Sequence, residues 1–316
     1  MVVPMFVIVK LLRLLVLMFG IVSATFLIMH YGFDRSHADT VLKYTDFLKR
    51  LLHLDFGIST VTGQPILTEI MSRWPATLEL GMIAMLISLV IGMPLGIIAA
   101  INQKKLLDRF LIGLSLIGYS MPAFWFALTL ILFFSIGLDL TPVSGRIDIS
   151  YDLTSITGFM IIDTLLQPAS KGYHLNPFYS ALSHLILPSI VLASVPTAVF
   201  ARLTRSSLLE ILPKDFILGA RARGLSEYRV ILIHGLRNAL TPILSVGGIH
   251  FITTVAMGSI VVEVVFGWPG IGSYIIQSVY ARDFGVVQIF LLAMAIIVLL
   301  TNTFIDLIIH LINPRA

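Results

Sequence analysis

Six apolar runs, each close to the length of a membrane-crossing helix, constrain this chain more than any other feature. They are Met5–Met29, Ala76–Ile101, Phe110–Ile136, Ala181–Leu203, Ala239–Phe266 and Gly285–Ile312. A hydrocarbon layer of about 30 Å takes about 20 such residues in a helix. Inside it the backbone must satisfy its own hydrogen bonds, which favours helices over irregular chain. Composition agrees: 57% of the 316 residues are hydrophobic and 12% are charged, where soluble domains carry about a quarter. The expected class is an all-α polytopic membrane protein with six transmembrane helices.

The first run holds Lys10 and Arg13, then reaches Met29 from Leu14 without a charge. A cleavable leader is the rival reading. The length of the run and the lack of a small-x-small cleavage site favour a retained first helix. Residues 41–54 place Leu42, Phe47, Leu48, Leu51 and Leu52 at helical spacing among Lys43, Asp46, Lys49 and Arg50. That pattern predicts an amphipathic helix resting on the membrane or on a neighbour. Residues 1–75 are thus read as a first helix plus an amphipathic segment, and 76–316 as a core of five helices.

Within the core, Gly92 and Gly96 form a small-xxx-small pair that admits a close neighbour. The third span is read as broken around Gly118–Pro122, where Pro122 predicts a kink. Gly247-Gly248 reads as a flexible point in the fifth, and Gly267–Gly272 as a loop.

Between the fourth and fifth spans lies the most basic window, Arg202–Asn238, with Lys or Arg at 202, 205, 214, 221, 223, 229 and 237. Such a patch is compatible with nucleic acid or anionic lipid, but the distribution of charge along the chain favours orientation. Alternate segments starting with the N-terminus, Arg315 included, hold thirteen of the 21 basic residues, mostly in short turns. By the positive-inside rule both termini and this window are expected in the cytoplasm.

The window parses further. Pro213 suits the first turn of a helix over Lys214–Arg223. Gly224 falls where a left-handed residue ends a helix, and Ser226 suits the N-cap of the next. Gly219, Ala220 and Ala222 are read as a small-residue surface able to enter a partner's groove. An ordinary positively charged loop is the plainer alternative.

Chemistry is absent by comparison. The eight His show no HExxH and there is no G-x-S-x-G, no P-loop and no Cys, which removes disulfides and thiolate metal sites. No catalytic residue, metal site or cofactor is expected. Three carboxylates, Glu79, Glu263 and Asp306, fall in or near spans, where a charge is costly and marks function by default. Glu79 and Glu263 are each expected at the outer interface, while Asp306, with Asn302 four residues before it, is deep enough to face a bundle interior.

The run Ala220-Arg221-Ala222-Arg223-Gly224-Leu225-Ser226, followed by His234-Gly235-Leu236-Arg237-Asn238-Ala239, resembles the EAA loop of ABC-importer permeases. The variant is that of the dipeptide, oligopeptide and nickel permeases. Against Glu-Ala-Ala-x3-Gly-x9-Ile-x-Leu-Pro the chain keeps Ala220, Gly224 and Leu236 and replaces the rest with Leu218, Gly219, His234 and Arg237. Gly118–Trp125, Leu140–Arg146, Thr157–Thr164 and Phe266–Gly272 are similar to stretches of the B-type dipeptide permease subunit. The likeness runs from about Asp55 to Pro314. The segment after the first span departs from it, lacking a Pro-Gly-Asp-Pro-like turn and looking shortened over 30–54.

This resemblance implies a type I ABC importer (MetI-like) permease fold in the cell inner membrane. It implies a second homologous permease, two cytoplasmic ATP-binding subunits that hydrolyse the ATP, and an extracytoplasmic substrate-binding protein. It assigns ATPase coupling to Asp215, Gly219, Ala220, Arg221, Ala222, Arg223, Gly224, Leu225 and Ser226, with the two arginines reaching acidic groups of the ATPase. It implies short peptides as cargo, with nickel chelates, haem or cationic antimicrobial peptides as alternatives. An ion-coupled secondary transporter is the rival class.

Overall fold

The computed structural model describes residues 2–33, 40–167, 176–254 and 259–312. The first helix, α1 (Val2–Phe33), carries α2 (Thr40–Leu52) folded back on it. The rings of Phe26 and Phe47 stack, Ser23 Oγ meets Tyr44 OH at 2.6 Å, and His30 Nε2 meets Thr40 Oγ1 at 3.0 Å. The amphipathic helix expected here therefore forms and rests part of its apolar face on a neighbour, leaving Leu42 and Leu52 exposed. Residues 34–39, within the segment expected to be shortened, lie outside the described residues, as does Arg315.

The second span, α3 (Ile66–Ile101), begins ten residues before the expected Ala76 and passes through Pro75. Polar residues disguised this start, and Glu69 is held by contacts from elsewhere in the chain. Thr62 Oγ1 donates to Glu69 Oε2 at 3.0 Å, Tyr274 OH donates to the same oxygen, and Arg73 lies 3.5 Å from Glu69 Oε1.

The third span is broken within the expected 118–122 stretch, and more sharply than by a kink. α4 (Leu106–Ser120) and α5 (Ala123–Leu130), the latter continuing as a π-helical stretch Ile131–Gly137, meet at 101°. Met121 and Pro122 are both extended, with ψ of 131° and 129°, because a residue before proline avoids the helical region. Two extended residues in a row turn the chain where one proline alone would bend it.

After a short α6 (Met160–Leu166), α7 (Asn176–Ile211) runs eight residues past the expected end at Leu203. It packs along α3 through the predicted small pair. A Cβ on Gly92 would stand 2.7 Å from Thr197 O, and one on Gly96 2.5 Å from Ala201 O. The chain then forms α8 (Asp215–Ala222), α9 (Glu227–Arg229), a π-helical stretch Val230–Gly235, and α10 (Leu236–Thr253). Gly247 is not a flexible point: its missing Cβ makes room for the Phe200 ring, 2.8 Å away.

α11 (Ser259–Val265), α12 (Ile271–Tyr280) and α13 (Phe284–Ile312) complete the chain. The predicted Gly267–Gly272 loop ends early, since Ile271 and Gly272 already belong to α12. Among the described residues α3, α7, the Glu227–Gly247 helix and α13 are long and apolar enough to cross a bilayer. The bent α4–α5 pair makes a fifth if taken as one span, and α1 contributes a shorter described apolar stretch, Leu15–Ile28.

Candidate functional site

The basic window is three structures rather than one loop. Arg202 and Arg205 ride on the last turns of α7. Arg205 is locked to α4, its Nε 2.6 Å from Asp108 Oδ1 and its Nη2 2.8 Å from Oδ2. Pro213 lies in the turn before α8, whose N-cap is Lys214 in extended conformation. Asp215 opens the helix, where its charge opposes the positive end of the helix dipole.

The far end of α8 closes as the sequence predicted. Leu225 N donates to Ala220 O at 3.4 Å and Gly224 N to Arg221 O at 2.9 Å, the paired bonds of a Schellman stop. Gly224 has φ +75° with nothing within 4 Å of a Cβ, so conformation rather than space demands glycine there. Ser226 takes the N-cap position of α9, but its hydroxyl makes no capping bond.

The faces of α8 sort the nine candidate residues. Ile217 and Ala220 are fully buried against Leu208, Ile211, Val230 and Ile243, with Leu225 packed at the edge of the cluster. Burying Ile217 alone contributes about 1.5–3 kcal/mol. Ala220 is therefore not part of an exposed small-residue surface; it faces the chain's own core. Asp215, Phe216, Leu218, Gly219, Ala222 and Arg223 face out.

Phe216 and Leu218 were missed as candidates, at 46% and 50% exposed. A signal was present: three consecutive apolar residues sweep about 200° of a helix, more than one face can bury. Arg221 does not reach outward. Its Nε and Nη2 donate to Glu227 Oε1 and Oε2 at 2.8 and 3.2 Å, stapling α8 to α9 across the glycine turn. Arg223 stays exposed, its Nε 3.3 Å from Gly219 O.

At the opposite end of α3, three of the stretches that carry the resemblance converge. Trp268 Nε1 donates to Ala76 O at 2.9 Å. Thr77 Oγ1 donates to Glu263 Oε1 at 2.7 Å and receives Ile271 N at 2.9 Å. Ser273 N donates to Glu263 Oε2 at 2.8 Å. Glu79 accepts Arg146 Nη2 at 2.5 Å and Ile161 N at 2.8 Å, while the same guanidinium donates to Gly158 O at 2.7 Å.

Glu79 is 4% exposed and Glu263 fully buried: both are sealed inside the protein, against the loops expected outside, rather than lying open at its surface. Each holds a loop on α3, and each is saturated by fixed donors. Gly270 and Gly272 are small because the Glu263 carboxylate occupies the space; a Cβ on either would lie 2.5 or 2.8 Å from it. Asp306 lies on α13 with its side chain outside the described residues. Among the described residues no cluster of three or more His, Asp or Glu could hold a metal.

The family model of the binding-protein-dependent transport system inner membrane component matches residues 92–316. The chain is 44% identical over 273 residues to the di/tripeptide transport system permease protein DppB of Pseudomonas aeruginosa, covering 86% of this chain and 80% of that protein. It is 41% identical over 276 residues to the dipeptide transport system permease protein DppB of Escherichia coli K12, with the same coverage. The putrescine export system permease protein SapB of the same strain is 36% identical over 264 residues, covering 84% of this chain and 81% of that protein. In fold, the chain is similar to a solved structure of the MetNI methionine ABC transporter in an inward-facing conformation. The TM-score is 0.58 at 19% identity, covering 78% of this chain and 98% of that one. The chain belongs to the inner-membrane permease family of binding-protein-dependent ABC importers, as a multi-pass transport component.

Proposed function

We propose that this permease carries dipeptides or short oligopeptides, and that α8 is the lever by which ATPase subunits drive it. The observation that carries the lever is the division of α8 into two faces. Ile217 and Ala220 anchor it in the core, while Phe216, Leu218, Gly219 and Ala222 offer an apolar, low-relief surface to an outside partner. Phe216 and Leu218 flank this outward face at its two edges, with Gly219 and Ala222 between them, and an exposed apolar surface of this kind marks an interaction site. Because α8 is stapled through Arg221–Glu227 to α9, and α9 runs on into α10, a push on α8 reaches the membrane as motion of α7 and α10.

In this reading Gly219, Ala222 and Arg223 make the docking contact together with Phe216 and Leu218. Ala220, Arg221, Gly224, Leu225 and Ser226 shape and seat the lever, and Asp215 starts it. The working assembly has a second homologous permease, two cytoplasmic ATP-binding subunits and an extracytoplasmic substrate-binding protein. Residues 1–75 form a peripheral unit on the 76–316 core, although α3 runs across that boundary. Both termini lie on the cytoplasmic side with α8, as the positive charges require.

Peptide cargo is supported by the higher identity to the dipeptide permeases than to the putrescine exporter. An ion-coupled carrier is disfavoured because Glu79 and Glu263 are held by fixed donors, which leaves neither free to relay protons. The test is reconstitution of the five-subunit importer in liposomes and uptake of a radiolabelled dipeptide. Gly219→Glu, at a position with nothing within 4 Å of a Cβ, should leave the permease folded yet abolish ATPase co-purification and uptake. Undiminished uptake in that variant would remove α8 as the docking element. A wild-type complex that moves putrescine but not dipeptide would overturn the cargo.

A further inference from the structure

Five arginines are half-buried among the described residues, and four of them meet a carboxylate. Arg73 lies 3.5 Å from Glu69, Arg146 2.5 Å from Glu79, Arg205 2.6 Å from Asp108 and Arg221 2.8 Å from Glu227. Arg202 has none among the described residues. Its guanidinium lies over the Tyr119 ring, 5.0 Å from the centroid, and its Nε is buried without a hydrogen-bond partner. His250 of α10 is within electrostatic reach but supplies no negative charge.

The position is unusual for such a group. Arg202 stands one helical turn nearer the middle of α7 than Arg205, at the level where α4 breaks from α5 beside Tyr119. A half-buried guanidinium near the end of a span that meets no carboxylate is a candidate binding group. The cation–π contact with Tyr119 recovers part of that energy but leaves the planar donor fork unfilled.

Arg202 opens onto a groove of about 450 Å³ between α4, α7 and α10, lined by Ile112, Val199, Leu203 and Val246 with Ser206 and Arg205 at its edge. Its size and its mixture of apolar wall with a few polar groups fit a small organic solute. Arg205, the other cation there, is already neutralised by Asp108. One donor fork therefore remains for an anion, and a carboxylate matches it in geometry.

We propose that Arg202 is a binding residue that receives the carboxylate of the solute as it passes the break between α4 and α5, with Tyr119 holding the guanidinium ready. The inference rests on the peptide-import reading, since a peptide brings one C-terminal carboxylate. A carboxylate of the second permease subunit is the other source of the same chemistry.

The experiment uses the purified complex of this chain with its second permease and ATPase subunits, without the binding protein, whose own preference would otherwise decide the result. The probes are glycyl-p-benzoylphenylalanine and its C-terminal amide at millimolar concentration, photo-crosslinked and mapped by mass spectrometry. The free acid should label the groove around Ile112, Val199 and Val246, and the amide should label it about tenfold less, the effect of losing one charge-assisted hydrogen bond. Arg202→Gln should erase that difference and Arg202→Lys should keep part of it. Equal labelling by acid and amide in the wild type, or an undiminished preference for the acid in Arg202→Gln, overturns the proposal. So does loss of the second permease from Arg202→Gln preparations, which would assign the carboxylate to that subunit. Dipeptide uptake by the wild-type importer separates this failure from failure of the cargo reading: uptake without acid-selective labelling sinks only the role of Arg202.

Discussion

The two ends of α3 handle charge in opposite ways. Around Ala76–Glu79 each buried carboxylate is enclosed by donors, Arg146 and Ile161 for Glu79, Thr77 and Ser273 for Glu263, and Arg146 also donates to Gly158 O. Around Ala100 and α8 most acids and bases are exposed: the half-buried Arg205–Asp108 pair ties α7 to α4, while the Arg221–Glu227 pair of α8 itself bridges a turn rather than a core. The first arrangement fixes three loops against one helix. The second leaves α8 with a buried anchor and a free outer face. An importer needs a rigid end and a movable end, and burial of charge distinguishes them.

The sharpest way to break this comparison is Glu79→Ala. It leaves Arg146 buried without its partner, and losing one member of a buried pair typically costs about 3–5 kcal/mol. The detergent-solubilised protein should show a large fall in unfolding temperature, and an unchanged value would mean the clamp is not structural. Next comes Gly270→Ala, which pushes a methyl into the Glu263 carboxylate at 2.5 Å. Overpacking of that kind costs about 1–3 kcal/mol, and the fall in unfolding temperature should be correspondingly smaller.

At the other end, Gly224→Ala forces a side chain into φ +75°, a penalty of about 1–2 kcal/mol. Here uptake should fall further than stability, because the strain tilts the lever. Equal losses in both would deny α8 its special role. Gly219→Glu sharpens the contrast: surface substitutions usually change stability by less than about 0.5 kcal/mol, yet ATPase co-purification should vanish.

The smallest effect concerns pH. Burial pushes the Asp163 carboxyl up, but the Thr157 hydroxyl and the amides of Thr157, Gly158 and Ile156 outweigh it and hold it below the usual carboxylate range. A depressed carboxyl contributes stability above its unfolded value of about 3.9 and loses it as pH falls through the folded value. Hydrogen-exchange protection factors in residues 154–167, corrected for intrinsic rate, should therefore be flat from neutral pH down to about 4 and fall only in stronger acid.

Legibility followed the range of the interaction. The Gly224 stop, the helix before it and the α9 start were readable because each depends on bonds within a few residues. The small pair Gly92 and Gly96 announced a close neighbour but not that it would be α7. The early start of α3 was hidden because Glu69 and Arg73 look like loop residues until Tyr274 and Thr62, from elsewhere in the chain, are placed beside them. Pro122 marked a break, while the 101° angle depends on packing that no local pattern encodes.

By itself, then, the sequence determined the membrane class, the helical apolar runs, the orientation expected from charge, and the helix–turn–helix around Gly224. Those follow from composition and from local backbone preference. Tertiary structure decided which side of α8 faces inward, that Arg221 belongs to Glu227, that Glu79 and Glu263 are sealed clamps, and that Arg202 meets no carboxylate among the described residues. A charge becomes spare or satisfied only when distant segments are folded around it.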